Sequence, residues 1–79
     1  MKGRTMKPQT VKQAADIQRS AMRNVEDWTD EQLAIAYYSQ VAACSMCTYA
    51  TWRIDHTLPA ELEVVAEAGF KNFSDGMIG

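Results

Sequence analysis

Along this chain apolar residues recur at three- and four-residue intervals, the spacing of one face of a helix. Nowhere do they alternate with polar ones as a strand requires. The first helical stretch opens near Pro8, whose fixed φ and missing N–H suit a first turn. Val11, Ala14, Ile17 or Gln18, Ala21 and Val25 form its stripe, broadened by Ala15 and Met22. Lys12, Asp16, Arg19 and Arg23 fall on the opposite face.

The sharpest local signal is Trp28-Thr29-Asp30-Glu31-Gln32-Leu33. Thr29 and Gln32 have the spacing of a capping box, and Trp28 and Leu33 that of a hydrophobic staple. Asp30 and Glu31 lie where the helix dipole favours negative charge. Neither Gly nor Pro occurs from there to Pro59, so the pattern predicts one long helix from Asp30 to about Ile54.

That helix carries two apolar stripes at 100° per residue. One runs through Leu33, Tyr37, Val41, Cys44 and Thr48, flanked by Cys47 and Trp52. The other runs through Ile35, Tyr38, Ala42, Met46 and Tyr49, about 120° away.

A third, short helix is predicted from Leu58 to Ala68, with Thr57 as cap, Pro59, Glu61 and Glu63 near its start, and Leu62, Val65 and Ala66 as its stripe. Gly69 has the place of a left-handed residue after the helix end, with Phe70 making the accompanying apolar contact. Residues 71–79 read as a loosely attached tail with turn signals at Ser74-Asp75-Gly76, and residues 1–7 as a flexible one. The expected fold is therefore all-α: a single domain over 1–79, three helices, the central one long.

A central helix of that length spans roughly 36 Å, against some 16 Å for the third. The first helix can cover the Leu33 stripe. The Ile35–Tyr38–Met46–Tyr49 stripe is then left bare, which makes these four residues the expected contact with another protein chain, either a second copy or a larger target.

With 79 residues, two cysteines and a net charge of −2, the chain fits one small domain outside the disulfide-rich class. Charge is unevenly distributed. Residues 1–23 carry six bases against Asp16, and the remainder two bases against nine acids. Lys12, Arg19 and Arg23 thus form a basic face. The pI near 5.2 and the acidic later helices argue against nucleic-acid binding and for a solvated face. No secretory h-region or membrane-length apolar run is present, so the expected location is cytoplasmic.

Cys44-Ser-Met-Cys47 is the one motif with chemical meaning. A single C-x-x-C supplies two of the four ligands a zinc site wants, and the lone histidine, His56, falls about two turns further on and on a different face, so no metal or cofactor is expected. A C-x-x-C on a helix resembles the cysteine pair of the alkylhydroperoxidase/carboxymuconolactone decarboxylase family, which would imply a thiol-based redox protein using Cys44 and Cys47. That family places a histidine four residues after the second cysteine and a glutamate about twelve before the first. Here those positions are Thr51 and Gln32, with Glu31 one residue off, so both proton-relay partners are missing. The position of the cysteines on or beside the Leu33 stripe reads instead as buried and structural.

No other nucleophile constellation and no glycine-rich phosphate loop occurs. The resulting expectation is a non-enzymatic interaction protein, of the kind bacteria and phages encode as small regulators or inhibitors. A redox protein is the first alternative and a nucleic-acid-associated accessory protein the second. Far-ultraviolet circular dichroism of the purified chain should show a helical spectrum; a substantial strand component would contradict the periodicity.

Overall fold

The computed structural model describes residues 7–78, so of the expected N-terminal tail only Lys7 falls within it. Four helices are present among the described residues: α1 (Val11–Ala21), α2 (Asp30–Ser45), α3 (Tyr49–Ile54) and α4 (Ala60–Ile78). No described residue lies in a strand, and the all-α class holds. No described helix is long and apolar enough to cross a membrane.

The starts of α1, α2 and α3 follow from side-chain caps. Thr10 caps α1, accepting from the Gln13 amide at 3.1 Å. A second cap comes from far along the chain, where the Glu61 carboxylate accepts from the Val11 amide at 2.9 Å. At α2 the expected capping box is complete: Thr29 Oγ1 accepts from the Gln32 amide at 3.1 Å, and Gln32 Oε1 from the Thr29 amide at 2.9 Å. Of the two staple positions, Trp28 is 39% exposed, while Leu33 is buried with Ala15 and Val25, Met22 packing against them. Val25 reaches that cluster from the loop, because α1 stops at Ala21 and Asn24 reverses the chain in the left-handed region at φ 63°.

Two corrections change the architecture. The predicted central helix is broken: α2 ends at Ser45, Met46 adopts φ 58° and ψ 36°, and Thr48 caps a separate short helix by accepting from the Thr51 amide at 3.2 Å. A left-handed conformation costs a non-glycine residue on the order of 1–3 kcal/mol. Burial of Trp52 offsets it, because the break swings α3 so that the indole meets Tyr38 and Phe70, with ring centroids 6.1 and 5.2 Å apart. Such aromatic pairs contribute about 0.5–1.5 kcal/mol each beyond the area they bury.

The second correction concerns the third predicted helix. Observed as α4, it starts at Ala60 rather than Leu58 and runs to Ile78, so the segment after Ala68 is helix and not a loose tail. Gly69 lies inside it. A Cβ at Gly69 would fall 2.6 Å from the Tyr38 Cβ and 2.8 Å from both the Ile35 carbonyl oxygen and the Ser39 nitrogen. Glycine is there because the α2 backbone occupies the space a side chain would need. Ser39 Oγ seals the crossing by donating to the Gly69 carbonyl at 3.0 Å.

Around this crossing α2 packs along α1 on one side and α4 on the other. The main core joins Ala14 of α1, Ala34, Tyr38 and Ala42 of α2, Trp52 of α3, and Leu62, Val65, Ala66 and Phe70 of α4. Gly69→Ala should destabilise the fold by about 1–3 kcal/mol in urea unfolding, because overpacking against backbone outweighs the roughly 1 kcal/mol that alanine gains in a helix. Ser39→Ala should cost less, about 0.5–1.5 kcal/mol. A stabilised Gly69→Ala would show that the helices can separate freely.

Candidate binding cleft

The break at Met46 leaves the last turns of α2 only partly covered. An open cleft of about 480 Å³ lies there. Its floor is aromatic and aliphatic, formed by Tyr37, Tyr38 and Val41 of α2, Trp52 of α3, and Leu58. Lys7, Pro8, Gln9, His56 and Thr57 also line it, with Ser45 and the exposed rim residues Gln40 and Cys44 of α2. Pro8 is buried and anchors the N-terminal segment.

His56 is held on two sides. Its ring stacks on Trp52 at 4.2 Å with the planes 7° apart, and Nδ1 lies 2.8 Å from the Trp52 carbonyl. A carbonyl can only accept, so this bond requires the proton on Nδ1 and leaves Nε2 as the uncommitted nitrogen. The hinge beneath is tied by Arg53, which donates to the His56 carbonyl at 3.0 Å and to the Tyr49 hydroxyl at 3.2 Å and pairs with Glu63. The Tyr49 hydroxyl hydrogen bond, opposed by desolvation and assisted by the Glu63 charge, raises the Arg53 pKa.

Tyr37 and Tyr38 meet edge to face with centroids 4.9 Å apart. Burial raises the Tyr37 pKa. Burial, reinforced by neighbouring Tyr37 and Tyr49, pushes Tyr38 up to about 12.

The structure redistributes the residues singled out in the sequence. Tyr38, expected at an interface, is core at 2% exposure, and Ala42 beside it is fully buried. The 19-residue α4 covers the stripe that an eleven-residue helix could not. Ile35 and Tyr49 are half-buried against the same core. Met46, at 75%, is the single member of the stripe left strongly exposed, because it is the residue at which the helix breaks.

Cys44 was expected to be buried and is exposed on the cleft rim; Cys47 is half-buried against the core, and both are free thiols. Past Ser45 the two cysteines no longer share one helix, which is why they part company. The basic face is partly neutralised. Lys12 pairs with Asp16 at 3.4 Å, and Arg19 bridges Asp16 at 2.6 Å and Asp30 at 2.9 Å, while Arg23 is exposed in the loop after α1. The Asp30 hydrogen bond, ahead of desolvation and the attraction of both carboxylates, raises the Arg19 pKa.

His56, Tyr37, Gln40 and the Lys7–Gln9 segment were not read as a site. The signal that could have located them is Thr48-x-x-Thr51, a helix start inside an apparently continuous helical run. No cluster of three or more potential metal ligands exists among the described residues. Comparison with protein-family models, curated proteins and solved structures finds no match to this chain.

The Tyr38 shift fixes the sign of an alkaline effect. The unfolded chain releases the tyrosine proton near 10 and the folded chain near 12, so this contribution to stability is intact below about pH 10 and is lost as pH rises towards 12. The loss amounts to roughly 2–3 kcal/mol. Unfolding titrations between pH 9 and 12 should show this decline in the native chain and a shallower one in Tyr38→Phe.

Proposed function

We propose that this protein is a small, non-catalytic interaction module that regulates or inhibits another polypeptide by taking a segment of it into the α2–α3 cleft. The observation that carries this reading is a concave, aromatic-lined surface on a chain whose other large aromatic groups are mostly packed in the core. Tyrosine and tryptophan concentrate binding energy at interfaces because they present large area with few rotors. At about 480 Å³ the cleft has room for one or two side chains of a docked segment. The contact surface is thus the cleft face of α2, around Tyr37, Val41 and Cys44, in place of the Ile35–Tyr49 stripe.

Thiol-based redox chemistry is a second reading, favoured by one observation: the break in the central helix brings Cys44 and His56 to the same cleft. Against it, Cys47 lies apart, half-buried against the core.

Cys44 offers a direct test. In a Cys47→Ser background, a benzophenone maleimide on Cys44 should crosslink on illumination to a discrete polypeptide in the native cell extract. The same reagent on Glu67→Cys, an exposed position of α4, in a chain lacking both native cysteines, should not give that adduct. Equal crosslinking from both positions would remove the cleft as the docking site. A Cys44 thiol with a strongly acidic titration would favour the redox reading.

A further inference from the structure

The charge around the cleft points to the chemistry of its occupant. The chain has ten acidic residues against eight basic ones. All ten acids lie among the described residues, and none of them lines the cleft. Among the described residues, the ionisable groups lining it that can carry positive charge are Lys7 and His56, from segments far apart in the chain. Of the acids closest to it in sequence, Glu61 caps α1 through the Val11 amide and Glu63 pairs with Arg53, while Asp55, next to His56, is exposed and outside the lining. An acidic protein thus keeps its apolar cleft free of negative charge.

His56 adds a directional element. With Nδ1 donating to the Trp52 carbonyl, Nε2 is the ring nitrogen left to meet an acidic group of an occupant. Stacking on Trp52 keeps the ring in place, so little side-chain order has to be imposed on binding.

We infer that the cleft recognises an acidic peptide segment of a partner protein: a bulky apolar side chain seated on Tyr37, Val41 and Trp52, with an Asp or Glu within two residues of it meeting Lys7 and His56. This inference rests on the docking reading above and narrows it to one class of occupant, on the ground of charge complementarity.

The test is selection of a random peptide library on the immobilised full-length chain, with counter-selection on Cys44→Trp. That variant fills the cleft rim at an exposed position without changing charge. Selected peptides should pair Phe, Leu or Trp with a nearby Asp or Glu. Synthetic copies should bind less tightly as salt rises, and roughly three- to tenfold less tightly to Lys7→Glu. Changing their acid to the corresponding amide should weaken binding to a similar extent.

Peptides that are lost on Cys44→Trp but are neutral or basic would overturn the acidic-segment inference and leave the docking reading standing. Peptides indifferent to Cys44→Trp, or no selected peptides at all, would overturn both. A native chain that sediments as a dimer, with Cys44→Trp monomeric, would make a second copy the occupant and also overturn the inference.

Discussion

The close crossing of α2 and α4 at Gly69 governs this structure. A 19-residue helix can lie along α2 only if the two backbones approach without an intervening side chain, and Gly69 removes the atom that would hold them apart. The approach lets Ser39 reach the Gly69 carbonyl and packs Ala66 and Phe70 against Ala42 and Tyr38. Glycine inside a helix costs up to about 1 kcal/mol of intrinsic propensity. Here that cost is set against a core shared by four helices.

The second constraint follows from the first. Once α4 covers α2, the chain after Ser45 cannot continue straight and still bury Trp52 against Phe70. Met46 takes the left-handed conformation, Thr48 restarts the helix, and the indole turns inward. Arg53 then ties the α3–α4 connection through Tyr49, the His56 carbonyl and Glu63. The cleft is the space left on α2 by this change of direction. Its aromatic lining is an extension of the core, so substitutions at Tyr38 or Trp52 affect folding and binding together, whereas Cys44, Gln40 and Lys7 are exposed and separable from the fold.

Electrostatics divides the molecule along the same lines. The basic residues of α1 lie near carboxylates: Asp16 bridges Lys12 and Arg19, and Arg19 reaches Asp30 at the start of α2. These pairs are exposed and screened by solvent, so they complement the helices more than they hold them. Among the described residues, only the Arg19–Asp30 pair joins the basic first third of the chain to the acidic remainder. The cleft, by contrast, keeps Lys7 and His56 without an acidic residue in its lining.

What the sequence determined by itself was local. The α2 capping box, the helical class and the apolar faces of α1 and α4 depend on neighbours within one or two turns, and these were legible from Thr29, Gln32 and the three- and four-residue spacing. Three features were decided only by tertiary packing. Gly69 reads equally well as a helix end or as a point of close approach, and only the position of α2 chooses between them. Met46 carries no glycine or proline signal, since its left-handed turn is stabilised by the distant burial of Trp52 and not by its own preference. The cleft needs Pro8, Tyr37, Trp52 and Leu58 brought together from four separate segments, a juxtaposition that no periodicity within one segment encodes.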